Sequence, residues 1–338
     1  MTKVKFIILI LFLIILFPLC MVFGSVDIPA GQVVKILAGA DVENEVWKVI
    51  IIESRLPMAL TAILAGASLS VSGLLLQTAF NNPLAGPSIL GISTGASLGV
   101  AIIMLAMGGA VTTLGTTYYA AIIGGAAIGA LSVLLLLLFL STIVKSTTML
   151  LIVGILIGYL TSSAISLLNF FATQEGVHSF IIWGLGNFSG VTMDKLPIFA
   201  ATSIISLAGA TLMIKPLNAL LLGNRYAESM GLNITRTRNA ILLFSGLLTA
   251  IVTAYCGPIG FIGLVVPHIA RMIMGTSNHT VILPATILSG AIVGLLCALI
   301  SVLPSKVEVL PLNAITPIIG VPIIIYIILE RKRLHYFN

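Results

Sequence analysis

Charged side chains are scarce in this chain, and their distribution is more informative than their number. Only 8% of the residues are charged and 59% are hydrophobic, whereas soluble domains have about 25% and about 45–50%. The longest stretch without a charge runs from Leu56 to Val144. Soluble helices need a solvated face, but a helix in lipid must avoid charges, because each costs roughly 2.5–3.5 kcal/mol at the bilayer centre. The composition therefore excludes a soluble domain and indicates a multi-pass membrane protein.

Patterns for catalysis and metal binding are also missing. The chain has no Gly-x-x-x-x-Gly-Lys-Ser/Thr phosphate-binding loop. Cys20, Cys256 and Cys297 lie far apart in apolar stretches, a spacing that predicts neither a metal site nor a disulfide. We expect no catalytic, metal-binding or cofactor-binding residues, no cofactor and no nucleic-acid partner. Ion-coupled carriers usually place ionisable side chains in their spans, so the lack of mid-membrane carboxylates favours an energy source in another subunit.

Ten apolar runs, separated by Gly, Pro and polar residues, predict an all-α protein with about ten transmembrane helices in a single domain, residues 1–338. The predicted spans are residues 5–24, 57–80, 88–107, 118–141, 148–171, 196–214, 237–256, 258–275, 281–303 and 313–329. The first run resembles a signal peptide, but the residue before Cys20 is not small, and we interpret the run as an uncleaved helix. A long helix, a Pro-containing break and a Gly-rich helix occur at 57–107 and again at 237–275, which hints at an internal repeat.

Basic residues fall mainly on one side of this ten-span arrangement. Eleven of the sixteen Lys and Arg residues lie on the side of the two termini: Lys3, Lys5, Lys145, Lys215, Arg225, Arg236, Arg238, Arg271, Arg331, Lys332 and Arg333. Most acidic residues lie on the other side. The positive-inside rule therefore predicts that both termini are cytoplasmic.

Span five differs from its neighbours in carrying a small, weakly polar face without charge. The residues that would line a passage there are Gly158, Thr161, Ser162, Ser166 and Asn169. Most of them recur at i, i+4, i+8 and i+11, which places them on one side of a helix. Small residues four apart, such as Gly154 and Gly158, also serve tight packing between membrane helices, as do Gly125 and Gly129 in span four. The sequence leaves passage and packing equally open for span five.

Two ionisable residues, His268 and Arg271, lie near the inner end of span eight. Such residues at membrane depth are candidates for function. They also reach the interface or fasten helices together, and we favour that structural interpretation. His178 and His279 lie in connections and are expected to be solvated.

The Lys215–Arg238 connection is the only sizeable loop on the predicted inner side. Its apolar residues alternate with polar ones, which favours short amphipathic helices broken at Gly223 and Gly231. We predict that this loop presents a docking surface, in which small residues such as Ala227 enter a groove of the subunit that supplies energy.

A series of motifs runs through nearly the whole chain. In order, they are Arg55-Leu56-Pro57, Gly66-Ala67, Val71-Ser72-Gly73, Gln77, Asn82-Pro83-Leu84-Ala85, Leu90-Gly91-Ile92-Ser93, Trp183-Gly184, Leu217-Asn218, Leu222-Gly223, Gly260-Phe261-Ile262-Gly263-Leu264-Val265-Val266-Pro267-His268-Ile269-Ala270-Arg271, Leu310-Pro311 and Gly320-x-Pro322. Together they resemble the iron-chelate and cobalamin ABC permease family of the FecCD type. The resemblance implies the type II ABC importer permease fold and a transport subunit that is not itself an enzyme.

The resemblance also implies partners and a location. The partners are a second copy of the chain, two cytoplasmic ATP-binding subunits, an extracytoplasmic substrate-binding protein and the lipid bilayer. The location is the bacterial cytoplasmic (inner) membrane, with the passage at the homodimer interface. The implied cargo is an iron chelate, either a ferric siderophore or haem. Cobalamin within the same family and an ion-coupled secondary carrier remain the alternatives, and a non-transporting scaffold is a third.

Residue roles follow from the same resemblance. Coupling to the ATPase is implied for Leu217, Asn218, Leu222, Gly223, Ala227 and Gly231, and the cytoplasmic gate for Ser146, Thr147 and Thr148. The segment Val177–Asn187 matches the family's periplasmic gate. Docking of the binding protein is expected at Arg55, Lys48 and Lys306. The chain departs from the family at Met58, where a second Arg is common, so Lys48 and Lys306 would have to substitute in the usual salt bridges.

Overall fold

The computed structural model describes residues 2–40, 42, 44–106, 111–144, 146–302 and 309–330, and its regular structure in these ranges is helical. The helices are α1 Thr2–Val22, α2 Ala30–Leu37, α3 Glu45–Val49, α4 Leu56–Ala79, α5 Ile92–Ala106, α6 Val111–Ile143, α7 Thr147–Phe171, α8 Gln174–Gly184, α9 Leu196–Thr211, α10 Ile214–Leu220, α11 Asn224–Ser229, α12 Ile234–Cys256, α13 Ile262–Met274, α14 His279–Val302 and α15 Leu312–Glu330. A π-helical segment, Ile50–Arg55, joins α3 to α4.

The predicted all-helical membrane architecture is confirmed. Among the described residues, six helical segments are long and apolar enough to cross a bilayer, and α9 with α10 adds a seventh if this pair, bent by 48°, is one span. Three shorter apolar helices, α5, α13 and α15, account for the remaining predicted spans. The first two are short because non-helical chain precedes them, at 80–91 and 257–261. The prediction of about ten spans therefore holds as an approximate count.

Successive membrane-spanning helices run in opposite directions, so the bundle has two distinct ends. At one end, which we call the α11 end, Lys5 Nζ near the start of α1 donates to the carbonyl of Met274 at the end of α13, over 3.3 Å. At the other, the α8 end, the backbone N–H of Asn187 donates to the carbonyl of Cys256, over 3.0 Å. The helix α1 begins at the α11 end and α15 ends there. This agrees with termini on one side, while their cytoplasmic location stays a prediction.

Helix α4 forms the centre of the bundle. Of its most apolar 18-residue window, 83% is buried, against 17% for α7. Small residues permit this enclosure: a Cβ on Gly66 would lie 2.1 Å from the carbonyl oxygen of Gly290 in α14. Membrane helices associate through such close backbone approach, because lipid provides little hydrophobic drive between them.

Helices α5 and α6 pack in the same manner. A Cβ on Gly99 would lie 1.9 Å from the oxygen of Gly125, and one on Gly129 would lie 2.1 Å from the oxygen of Gly95. The packing role expected for the two glycines of span four is therefore confirmed.

The sequence repeat has a structural counterpart. A long helix, a non-helical break and a short helix follow each other as α4–α5 and as α12–α13. Helix α4 runs from the α8 end to the α11 end, and α12 runs the opposite way. The two units meet where Gly73 of α4 lies against Gly263 of α13, so closely that a Cβ on Gly73 would lie 1.6 Å from the Gly263 oxygen.

The ionisable residues of span eight fasten helices together, as expected. His268 Nε2 donates to the carbonyl of Pro83 over 2.8 Å. Arg271 Nη1 donates to Gln77 Oε1 over 2.7 Å. Both side chains are buried, and they hold α13 against the end of α4 and the break that follows it.

Candidate coupling segment and translocation face

The predicted coupling loop folds as two short helices, α10 and α11, separated at Gly223. This glycine has φ +93° and ψ 153°, a region that is essentially restricted to glycine. Gly231, which follows α11, has φ +86°. Neither position is crowded, since an added Cβ would meet nothing within 4 Å. Backbone conformation, and not space, therefore requires glycine at the two predicted breaks.

Asn218 of α10 connects this segment to the membrane helices. Its Oδ1 accepts hydrogen bonds from the backbone N–H of His279 over 2.8 Å and from His279 Nδ1 over 3.0 Å. Its Nδ2 donates to Asn278 Oδ1 over 2.9 Å. On the other side of the imidazole, Nε2 lies 2.9 Å from Thr78 Oγ1. A continuous polar chain thus joins α10, the start of α14 and the end of α4.

His279 is the functional candidate that the sequence analysis missed. We expected a solvated residue in a connection, but only 1% of its surface is exposed. The prediction was wrong because its partners, Asn218 and Thr78, are 61 and 201 residues away in the chain. The Leu217-Asn218 motif, which supplies one of these partners, was the one available signal in the sequence. Leu217, the other residue of this motif in α10, is fully buried.

The outward surface of the coupling segment carries large apolar side chains between polar ones, but Ala227 does not contribute to it. Ala227 is completely buried within the chain, which corrects the expectation that it enters a groove of a partner. The exposed large apolar side chains are Leu221, Leu222, Tyr226 and Met230, with 41%, 61%, 56% and 62% of their surfaces accessible. A docking surface in this segment would therefore consist of these larger side chains.

The residues of the predicted passage face of α7 have two different environments, one packed against α5 and one exposed. Thr161 is buried, and its hydroxyl donates to Thr94 Oγ1 of α5 over 2.9 Å. Gly158 packs beside Gly91, since a Cβ built on Gly158 would lie 3.8 Å from the Gly91 Cα. Ser162 and Ser166 are exposed, and Asn169 is half-buried. The alternatives that the sequence left open are thus both present, packing for Gly158 and Thr161 and an open surface for the serines.

The exposed side of α7 is more apolar than the sequence suggested. Its large exposed residues are Met149, Ile152, Leu156, Tyr159, Leu160, Leu167, Phe170 and Phe171. Together with the two serines they form an uncharged stripe along most of the 25-residue helix.

The residues expected at the cytoplasmic gate begin α7. Ser146 is its N-cap, and Ser146 Oγ accepts from the backbone N–H of Met149 over 3.3 Å. Thr147 and Thr148 follow in the first turn. This position at the α11 end is compatible with the gate role, which stays a prediction.

Helix α8, the expected periplasmic gate, is fastened at its end by Asn313 of α15, a residue that the sequence analysis did not single out. Asn313 Nδ2 donates to the carbonyls of Gly184 and Pro258, over 3.0 and 2.7 Å. Its Oδ1 accepts from the backbone N–H of Gly260 over 3.1 Å. One side chain therefore joins α8, the break before α13 and the start of α15.

The expected docking residues have different environments at the α8 end. Arg55 is 4% exposed, and its guanidinium donates to the carbonyls of Met21 and Val22, over 2.7 Å each, and to that of Val26. These hydrogen bonds satisfy the carbonyl groups at the end of α1 and give Arg55 a structural role, while its docking role stays a prediction. Lys48 is exposed and lies 4.0 Å from the carboxylate of Glu45. Lys306 lies outside the described residues.

Comparisons with known proteins agree with this architecture. The sequence model of a family described as the FecCD transport family matches residues 11–330. A relative from Citrobacter koseri, named vitamin B12 import system permease protein BtuC, is 34% identical over 289 residues, which are 85% of this chain and 84% of the relative. Another from Methanocaldococcus jannaschii, named "Putative ABC transporter permease protein MJ0876", is 29% identical over 347 residues, or 98% and 99% of the two chains. A solved structure described as "An inward-facing conformation of a putative metal-chelate type ABC transporter" matches with a TM-score of 0.83 at 28% identity, covering 98% of this chain and 100% of the other.

Proposed function

We propose a cargo and a transport cycle for this chain, which belongs to the FecCD transport family and is the permease of an ABC importer. Members of this family are membrane subunits that work with a separate ATPase.

The proposed cargo is a metal chelate, with cobalamin as the first candidate. Cobalamin is itself a cobalt chelate, and relatives at 32–34% identity are named for vitamin B12 import. An iron chelate, the cargo expected first from the sequence, is the second candidate. It is supported by the solved relative described as of metal-chelate type, which matches over the whole chain. An ion-coupled carrier is no longer a candidate, since the family is one of ABC transporters.

The proposed passage follows the exposed stripe of α7 and is completed by a second copy of the chain. This stripe is the observation that carries the proposal. A helix of 25 residues spans about 38 Å, enough to cross a bilayer core of about 30 Å. The stripe combines uncharged apolar residues with Ser162 and Ser166, and such hydroxyls are better placed against a partner or a water-filled path than against lipid. A wide, uncharged path suits a bulky amphipathic chelate.

ATP hydrolysis would act through the coupling segment. Leu222, Tyr226 and Met230 supply most of its exposed apolar surface, which would fit a groove on a cytoplasmic ATPase. Movement of α10 would then reach α4 and α14 through the bonds of Asn218 and His279. A substrate-binding protein would deliver the cargo at the α8 end.

The cargo assignment can be tested in proteoliposomes that contain this permease and its ATPase. Cobalamin, haem and a ferric siderophore would be offered separately with the cognate binding protein, and uptake would be measured with ATP and with a non-hydrolysable analogue. We expect ATP-dependent uptake of cobalamin. Uptake of haem or the siderophore alone would transfer the assignment to an iron chelate, and uptake without the ATPase would contradict the proposed function altogether.

The coupling surface has its own test. Tyr226→Ala should reduce co-purification of the ATPase and the rate of cargo uptake, because it removes exposed apolar area. The matched control is Ser229→Ala in the same helix, whose hydroxyl makes only a local bond to the Arg225 carbonyl. Equal effects of the two substitutions would exclude α11 as the docking surface. Ala227 is unsuitable for this test, because a larger side chain there would disturb the segment itself.

A further inference from the structure

A cavity of about 690 Å³ lies at the α8 end, between α6, α8, the end of α12 and the linker that leads to α9. Its volume is in the range of small-molecule sites. Four of its lining residues are large aromatics: Tyr118, Tyr119, Trp183 and Tyr255. Tyr and Trp are enriched where a bilayer meets water, so this lining is typical of a site at the depth of lipid headgroups.

A buried hydroxyl in this lining lacks a partner. Tyr118 is 7% exposed, and its hydroxyl makes no hydrogen bond to any described residue. A buried hydroxyl left in this state costs roughly 1–3 kcal/mol, and a molecule in the cavity would relieve this cost by accepting a hydrogen bond from it. Tyr118 lines the cavity, but its hydroxyl is shielded, so the side chain must shift before it can donate to an occupant.

The charge of the lining is positive. Among the described residues, Lys195 at the start of α9 is the only Lys, Arg, Asp or Glu that lines the cavity, and its Nζ lies 4.7 Å from the centroid of the Tyr119 ring of α6. The neighbouring carboxylate of Asp194 is outside the lining and accepts a hydrogen bond from the Thr192 hydroxyl, which is the main cause that lowers its pKa. The exposed Asp194 carboxylate beside Lys195 offsets part of this charge, but the lining itself between α6 and α9 carries only the cation and favours an anionic group.

An apolar stripe on α12 leads from the cavity toward the middle of the bundle. Leu247, Ile251 and Tyr255 recur every four residues on α12 and are each half-buried, so they form one stripe along the helix. To one side of it, Leu134 of α6 packs against α12. To the other side, the Phe199 ring of α9 lies 5.3 Å from that of Tyr255. The stripe is thus the floor of a groove between α6 and α9 that begins at the cavity.

We propose that this cavity binds an anionic phospholipid from the surrounding leaflet. The phosphate lies at Lys195, the Tyr118 hydroxyl donates to a phosphate or ester oxygen, and an acyl chain follows the α12 stripe. A cation, a buried donor and an apolar groove in this order match the order of phosphate, ester and chain in the lipid. Since Trp183 of α8 forms a wall of the cavity, the lipid supports the helix expected to act as the periplasmic gate. The site is separate from the α7 face and does not depend on the identity of the cargo.

The test is native mass spectrometry of the full-length protein after incubation with equal amounts of phosphatidylglycerol and phosphatidylcholine. We expect the wild type to retain phosphatidylglycerol with a preference of roughly fivefold, the effect of one lysine near an anionic lipid. Lys195→Gln should remove the preference, and Tyr118→Phe should lower the occupancy by both lipids. Ala254→Phe should exclude both, because Ala254 lines the cavity and is nearly buried.

The matched control is Lys35→Gln, which removes an exposed lysine of α2 and should leave the preference unchanged. Equal losses in Lys35→Gln and Lys195→Gln would mean general attraction to the surface and would overturn the proposal. So would lipid retention by a folded Ala254→Phe variant, and if that variant does not fold, the Lys195 and Tyr118 variants decide. Displacement of the lipid by excess glycerol phosphate would show that the site takes a soluble phosphate compound, which also contradicts the proposal.

Discussion

Replacement of Asn218 by leucine should uncouple the α10–α11 segment from the membrane helices. The leucine has a similar size but can make none of the three hydrogen bonds that Asn218 forms with His279 and Asn278. Each such bond contributes about 1 kcal/mol net, so the attached state should lose about 3 kcal/mol of stability relative to the detached state. This equals a factor of roughly 10² in the equilibrium between attached and detached segment.

Hydrogen exchange measures this change directly, because amides of a locally opening segment exchange in proportion to its open population. The amides of Leu217 and Leu221, which are hydrogen-bonded to Met213 and Leu217 carbonyls, should lose roughly 10² in protection. Cargo uptake per ATP hydrolysed should fall in proteoliposomes, while hydrolysis itself continues. Ser229→Ala should change neither quantity. Wild-type exchange and wild-type uptake in the Asn218→Leu variant would refute the coupling route.

Three further predictions concern helix packing, the passage and the turn after α11. Gly73→Ala should prevent folding, since its Cβ would lie 1.6 Å from a backbone oxygen of α13. Gly124→Ala should be tolerated, because a Cβ there would meet nothing within 4 Å. The yield of monodisperse protein measures both effects. In a background without native cysteines, Ser162→Cys should react with aqueous thiol reagents and Thr161→Cys should stay protected, and equal labelling would contradict the division of the α7 face. Gly231→Val should cost about 1–2 kcal/mol, because φ is +86°, and should lower ATP-driven uptake at unchanged membrane levels, which immunoblots and transport assays can check.

Much of the architecture could be predicted because it depends on local composition. A membrane helix must be an apolar run of sufficient length, and its ends require Gly, Pro or polar residues, so the spans were predictable from the chain. The breaks at Gly223 and Gly231 were predictable for the same reason, since the backbone conformation of a residue is a local property. Likewise, the motifs that resemble a known family are local strings of residues.

The environment of single side chains was less predictable. Period alone placed Gly158, Thr161 and Ser162 near one another on α7, but which of them is covered depends on where Gly91 and Thr94 of α5 lie. A helical period defines a face and does not say what packs against it.

The sequence by itself therefore determined that this protein is an all-helical membrane permease, roughly where its helices lie and where the loop between α9 and α12 breaks, while the coupling role of that loop stays a prediction. Only the tertiary structure decided that Ala227 is buried, that Arg55 completes the end of α1, and that His279 and Asn313 each join three parts of the chain. The physical reason is the distance along the chain between interacting residues. A buried polar group must find a hydrogen-bond partner, but the sequence contains no local sign of whether that partner is 34 residues away, as for Arg55, or 201, as for His279.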